Sequence, residues 1–259
     1  MCIRDSIEII PDGIDTGKKE ILTQQHEDLA EYCQNCYVDA HLKLYDHIDD
    51  DDVGIQCHFI VKNEQLIVVF RGSDQLKDWF FNFTMTQTEY PKDSGIYIHS
   101  GFLTQILSIK SMFRRKLETH LSENKIEKIT FTGHSAGVLS VLSAYISLDL
   151  IENYETEIVT FGAPKPGNEK FKEIMEKKCK CTRIVLDRDT VTRVPIFTSY
   201  CHVGKPIQIR ENDVLERDTS CLEHIHWLLL GIPKADFGIR DHLIWQYYGQ
   251  IKKWVKKEN

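Results

Sequence analysis

Two periods of apolar residues alternate along this chain, and each change of period marks a predicted element. Leu22, His26, Leu29, Ala30, Cys33 and Tyr37 fall near helical spacing, which predicts an opening helix from about residue 19 to 44. Residues 55–61 and 66–70 are short runs rich in β-branched and aromatic residues, on either side of the turn-like Lys62-Asn63-Glu64-Gln65. That is the pattern of a hairpin. The acidic run Asp49-Asp50-Asp51-Asp52 before them reads as a solvated connection rather than a calcium loop. A helix is predicted over 101–121, then a strand over 125–132 with Ile126, Ile129 and Phe131 apolar, then a long apolar helical pattern over 138–146. Strands are predicted at 157–161 and 182–186 with a helix over 168–178 between them, and an amphipathic helix follows His242. This alternation predicts an α/β protein with a mixed, mostly parallel central sheet, antiparallel at its start, and helices on both faces. No repeat or low-complexity linker divides the 259 residues, which suit one α/β domain over 1–259 with a substantial core.

Composition narrows the function classes. A formal net charge of −7 argues against broad nucleic-acid binding and against strong attraction to an anionic membrane. Lys252-Lys253-Trp254-Val255-Lys256-Lys257 is a local basic patch, read as the solvated face of the terminal helix. No apolar run reaches the ~20 residues of a membrane-spanning helix. The run Trp227-Leu228-Leu229-Leu230-Gly231-Ile232-Pro233 is short and broken by glycine and proline. Residues 1–6 hold no continuous apolar stretch, so no secretory leader is expected. The 8 cysteines are an even count, but a chain of this size folds without staples, so free thiols and an intracellular site are expected. Cys33-x-x-Cys36 falls within the predicted helix rather than after a strand, which argues against a redox motif. The spacing of Cys179, Cys181, Cys201, Cys221, His224 and His226 matches no familiar zinc module, so no metal is expected.

The segment richest in chemistry is Gly133-His134-Ser135-Ala136-Gly137, set between a predicted strand and a predicted helix. A Gly-x-Ser-x-Gly turn in that context lifts the serine hydroxyl clear of the sheet, and the helix N-terminus behind it offers backbone N–H groups to a developing oxyanion. A serine hydroxyl is a weak nucleophile and needs a base, which in turn needs an orienting acid. In enzymes built on such an elbow the chain order is serine, acid, histidine. Asp187 and Asp189 both follow the strand at 182–186. Asp187 abuts the strand and can simply end it, whereas Asp189 stands in the loop and is preferred. Of the later histidines, His242 precedes the terminal helix and is preferred as base. His202, followed by Val203-Gly204 and an extended stretch, reads as structural, and His224 and His226 remain alternatives.

At this point the chain resembles a known family. Val69-Phe70-Arg71-Gly72-Ser73-Asp74-Gln75-Leu76-Lys77-Asp78-Trp79 is similar to the oxyanion-loop motif of class 3, fungal-type lipases. Ile98-His99-Ser100-Gly101-Phe102 resembles their next motif, Thr132-Gly133-His134-Ser135-Ala136-Gly137 their elbow, and Thr160-Phe161-Gly162-Ala163-Pro164-Lys165-Pro166-Gly167 the phrase that follows. Asp189-x-Val-x-x-Val-Pro195 is similar to their acid motif and His202-Val203-Gly204 to a later strand motif, so the pieces run in order from about residue 20 to 250. The resemblance implies an α/β-hydrolase fold and hydrolysis of lipid esters at a lipid–water interface, with no cofactor. It implies Ser135 as nucleophile, Asp189 as acid, His242 as base, and the N–H groups of Ser73 and Ala136 as oxyanion hole. It also implies that 74–95 is lid-like; Trp79, Phe80 and Phe83, near helical spacing, are then expected as a rim that meets substrate, the alternative being a fixed helix whose aromatics are core. The apolar run 227–232 is a second candidate for that rim. The stretch 211–240 fits the family pattern least. A short-chain or phenolic-acid esterase and an inactive lipid-binding relative are the competing expectations. A dinucleotide-binding protein would need a Gly-x-Gly-x-x-Gly after a strand, which the chain lacks.

Overall fold

Strand residues alternate between two cores, one on each face of a single sheet. The computed structural model describes residues 21–38, 45–52, 54–72, 86–138, 154–195, 199–211, 213–216 and 240–258. In chain order the elements are α1 (Gln24–Asn35), β1 (Asp46–Asp50), β2 (Ile55–Lys62), β3 (Gln65–Phe70), β4 (Gln87–Glu89), β5 (Tyr97–His99) and α2 (Ser100–Glu123). They continue with β6 (Lys128–His134), β7 (Glu155–Phe161), α3 (Glu169–Lys178), β8 (Lys180–Leu186), β9 (Lys205–Ile209), β10 (Val214–Leu215) and α4 (Ile244–Glu258). The main sheet has the order β1-β2-β3-β6-β7-β8-β9-β10. From β3 through β9 every pairing is parallel. The β1-β2, β2-β3 and β10-β9 pairings are antiparallel. The sheet is therefore mixed and mostly parallel, as predicted, but β10 adds an antiparallel edge at the far end too.

Alternation decides which helix covers which face. In β3, Leu66, Val68 and Phe70 join the core with Ile106, Phe113 and Leu117 of α2 and Phe171 and Met175 of α3. Ile67 and Val69 point the other way, to the core shared with Leu29 and Cys33 of α1 and Tyr247 and Ile251 of α4. In β6, Ile129 and Phe131 face the first core, and Thr132 turns its hydroxyl to Cys33 Sγ at 3.6 Å.

Several boundaries differ from expectation. Helix α1 runs only from Gln24 to Asn35 rather than 19–44. It starts where the Thr23 backbone N–H donates to His26 Nδ1 at 3.1 Å, closing the N-terminus. The acidic run is not wholly a connection: Asp49 and Asp50 end the edge strand β1, paired with β2, and only Asp51 and Asp52 turn. Ile48 alone is buried in that strand, so an edge strand with one inward side chain gives almost no period-2 signal. The β2-β3 turn uses Asn63 at φ 52° and Glu64 at φ 59°, the doubly left-handed turn that suits a two-residue hairpin. Cys33 and Cys36 are buried free thiols, and burial pushes the Cys33 thiol up to about 12, which suits packing rather than redox chemistry. Helix α3 starts one residue later than predicted because Asn168 caps it, its Oδ1 accepting from the Phe171 N–H at 3.0 Å.

Candidate active site

The elbow is built by close approach. Ser135 sits at φ 58°, a left-handed conformation that costs a non-glycine residue energy and aims its side chain off the end of β6. Its N–H donates to the Phe161 carbonyl of β7 at 3.0 Å, which fixes the turn against the neighbouring strand. Both flanking glycines are required sterically. A Cβ on Gly133 would lie 2.9 Å from the Gly137 carbonyl carbon, and one on Gly137 would overlap the carbonyl oxygens of Phe70 and Arg71. Residues 136–138 open a helical turn after the serine, and the predicted helix beyond 138 lies outside the described residues. Ala136 thus stands in the first turn, where helix N–H groups have no intrahelical acceptor.

Asp189 and His242 come together from 53 positions apart. His242 Nδ1 lies 2.7 Å from Asp189 Oδ2, and both side chains are fully buried. An ionised carboxylate only accepts, so Nδ1 carries the hydrogen and Nε2 presents its lone pair. The carboxylate is held from three sides. Its Oδ1 accepts from the Val191 N–H at 2.8 Å, and its Oδ2 also accepts from the Tyr247 hydroxyl at 2.6 Å. Thr192 Oγ1 donates to the Asp189 carbonyl at 2.8 Å, which ties the loop to the short helical turn Val191–Arg193. Asp187 plays a different part: it accepts from Gln208 Nε2 at 2.7 Å and faces Arg210, closing the end of β8 onto β9.

One peptide unit joins the two halves of the site. Phe161 accepts from Ser135, and Gly162, at φ 62°, faces the Asp189–His242 pair. A Cβ there would lie 3.0 Å from Asp189 Oδ2 and 3.0 Å from His242 Nδ1. Among the described residues, Ser135 Oγ and His242 Nε2 are both buried with no hydrogen-bond partner. Two buried groups of that kind are costly unless they serve a ligand or a reaction.

Sequence reading did not single out His134, Tyr37, Gly162 or Tyr247. His134 Nε2 lies 2.6 Å from the His242 carbonyl, and its Nδ1 lies 3.0 Å from the Tyr37 hydroxyl. Of the other expected site residues, Ser73, Trp79, Phe80 and Phe83 lie outside the described residues, as do His224, His226 and the run 227–232. Gly72 does show where that loop begins: a Cβ on it would lie 3.1 Å from Ser135 Cβ. The later part of 74–95 includes β4, which pairs with β5.

A mostly parallel sheet with a serine elbow after one strand, and a hydrogen-bonded Asp–His pair brought in from later segments, is the arrangement of the α/β-hydrolase fold. The triacylglyceride lipase of Rhizomucor miehei has the same fold: it aligns at a TM-score of 0.62 and 22% identity over 77% of this chain and 89% of that one. The family model for Lipase (class 3) matches residues 67–199, just over half of the sequence, and the chain belongs to that family. By sequence it is 26% identical to the lipase of Rhizomucor miehei, over 71% of this chain and 52% of the relative. It is 27% identical to the secreted mono- and diacylglycerol lipase 1 of Fusarium solani, over 66% of this chain and 52% of the relative. It is 28% identical to phospholipase A(1) DAD1, chloroplastic, of Arabidopsis thaliana, over 61% of this chain and 38% of the relative. The chain spans about half the length, or less, of these curated relatives.

Proposed function

We propose that this chain is a single-domain serine hydrolase that cleaves carboxylic esters of lipids through an acyl-enzyme on Ser135, with His242 as base and Asp189 as acid. The observation that carries this reading is the buried 2.7 Å Asp189–His242 pair, with Nε2 of that histidine and the Ser135 hydroxyl both left without partners. In the proposed reaction Ser135 Oγ attacks the ester carbonyl carbon while His242 Nε2 takes its proton. Asp189 holds the tautomer and stabilises the imidazolium. The tetrahedral oxyanion is bound by the N–H groups of Ala136 and Ser73. The close approach of Gly72 to Ser135 supports that assignment for its neighbour. Loss of one such donor typically costs ~3–4 kcal/mol of barrier. Collapse breaks the ester C–O bond, and the imidazolium gives its proton to the departing alcohol. Water then repeats the sequence to release the acid.

Of the proteins named above, three have names that specify acylglycerols or phospholipids, which favours a lipid ester over a short soluble one. The substrate meets the enzyme at a transient lipid–water interface, with 74–95 as lid and Trp79, Phe80 and Phe83 on its rim. Among the described residues no helix is long and apolar enough to cross a membrane. One of these relatives is named as secreted and another as chloroplastic, so the relatives lend no support to a cytoplasmic site and leave secretion open.

The test is hydrolysis of p-nitrophenyl esters of increasing chain length by the wild type and Ser135→Ala, above and below the solubility limit. Activity that depends on Ser135 and rises once long-chain ester forms an interface supports a lipase. Activity confined to soluble short esters would replace it with an esterase, and none in either protein would favour a lipid-binding relative. Replacing Trp79 and Phe80 by serine should reduce turnover of emulsified ester, and unchanged turnover would remove them from the rim.

A further inference from the structure

Behind the proposed base lies a second, buried histidine that the reaction does not consume. His134 precedes the nucleophile on the elbow, and its ring centroid lies 4.7 Å from that of His242. Its hydrogen bonds fix its tautomer. Burial, and the nearness of His242, hold the His134 imidazole well below its ordinary range, so it is neutral with one N–H. The His242 carbonyl, 2.6 Å from Nε2, can only accept, so Nε2 carries the hydrogen. Nδ1 is therefore the acceptor, and the Tyr37 hydroxyl, at 3.0 Å, donates to it. Tyr37 itself is clamped: the Arg71 guanidinium carbon lies 5.3 Å from its ring centroid, and Arg71 Nη1 donates to Gln56 Oε1 at 2.6 Å. Gly72 passes so close that a Cβ on it would overlap the Tyr37 hydroxyl. Tyr37, just beyond the end of α1, thus touches both the start of the oxyanion loop and the residue that holds the base.

We propose that Tyr37 and His134 are positioning residues for the general base: Tyr37 sets the tautomer of His134, and His134 grips the His242 carbonyl and packs against its ring, holding Nε2 toward Ser135. The inference rests on the assignment of Ser135, Asp189 and His242 given above. Without the Tyr37 hydroxyl, His134 can take the other tautomer, which sets a nitrogen lone pair against the His242 carbonyl.

Five proteins on one soluble ester test it: wild type, Ser135→Ala, Tyr37→Phe, His134→Asn and His134→Gln. Glutamine places an amide N–H where Nε2 stood, whereas asparagine reaches only the position of Nδ1. His134→Asn should lower kcat about tenfold, the weight of one well-placed hydrogen bond, with KM little changed. His134→Gln should recover most of that loss. Tyr37→Phe, which keeps ring and packing but leaves the buried His134 Nδ1 without its donor, should lower kcat several-fold with only a modest fall in the urea midpoint. The downfield proton of the Asp189–His242 hydrogen bond in proton NMR should broaden in His134→Asn and Tyr37→Phe but persist in His134→Gln. Equal losses in the asparagine and glutamine variants, or wild-type kcat and an unaltered downfield proton in Tyr37→Phe, would overturn the proposal. Full activity in Ser135→Ala would instead remove the site assignment on which it rests.

Discussion

The hydroxyl of Tyr247 donates to Asp189 Oδ2 at 2.6 Å, the same oxygen that lies 2.7 Å from His242 Nδ1. Burial, and then the Asp189 charge, push the phenol well above its ordinary range, so it stays a donor at any working pH. The Tyr247 oxygen also accepts from the Leu186 N–H at 3.1 Å, which ties α4 to the end of β8. Tyr247→Phe should therefore act twice. A hydrogen bond to a charged acceptor contributes ~1.5–3 kcal/mol, so kcat should fall roughly ten- to hundredfold. The orphaned Leu186 N–H should lower stability by ~1–2 kcal/mol. Steady-state kinetics and urea unfolding measure the two separately. An unchanged kcat would mean that Val191 and His242 suffice to hold the carboxylate.

Gly162→Ala tests the space between the proposed nucleophile and the proposed base. The residue sits at φ 62°, where a Cβ is strained, and that Cβ would lie 3.0 Å from both Asp189 Oδ2 and His242 Nδ1. Both atoms belong to a fully buried pair, so neither can yield freely. The expected outcome is a loss of at least about tenfold in kcat and ~1–2 kcal/mol in stability. Wild-type kcat in the alanine variant would show that the pair tolerates displacement.

What the sequence revealed and what it hid divide by distance along the chain. The elbow was legible because five adjacent residues carry it, and each glycine answers to a contact within the turn or with β3. Asp189 was legible as a candidate partner for a histidine because it stands in the loop after β8, whereas Asp187, which abuts the strand, serves the β8-β9 edge. Tyr37 and His134 touch across 97 positions, and no period or motif links them. Tyr247 lies in the helix predicted after His242, but its contacts with Asp189 and the end of β8 are set by how α4 packs on the sheet, which periodicity does not specify. Strand β1 was hidden for the opposite reason: an edge strand with charged neighbours and one buried side chain looks like a loop.

In the sheet, toward the end away from Ser135, a carboxylate is buried with a nearby lysine. Glu157 Oε1 lies 2.8 Å from Lys128 Nζ, accepts from Thr130 Oγ1 at 3.0 Å, and also accepts from Gln25. Burial raises its affinity for a proton, but the lysine and the hydroxyl and amide donors outweigh this and hold the carboxyl below its ordinary range. Its stabilising effect is thus present above the ordinary carboxylate range and lost as pH falls through the lowered value. Lys128→Met leaves the carboxylate without its cation and should cost ~2–4 kcal/mol at neutral pH. The double variant with Glu157→Gln should recover part of that loss. Equal stability of the single and double variants in urea would show that the charge is not the source.

His58 should set part of the acid sensitivity. It lies on β2, 3% exposed, with neither ring nitrogen hydrogen-bonded among the described residues. Burial, then His47 and Arg71, lower its imidazole to about 4 against the opposing pull of Asp49. The unfolded chain protonates this residue near its ordinary 6.5, before the folded protein does. Above that pH the group is neutral in both states and has no effect. As pH falls toward 4 the unfolded state gains the proton first, so stability drops by ~1.4 kcal/mol per unit and levels off below the folded value. The total is about 3 kcal/mol. His58→Leu removes this titration while keeping the site apolar, so its urea midpoint should fall less than that of the wild type between pH 7 and pH 4. His134, also held neutral, contributes in the same direction in both proteins and cancels in the difference. Parallel midpoint curves for the two proteins would show that His58 is not the group responsible.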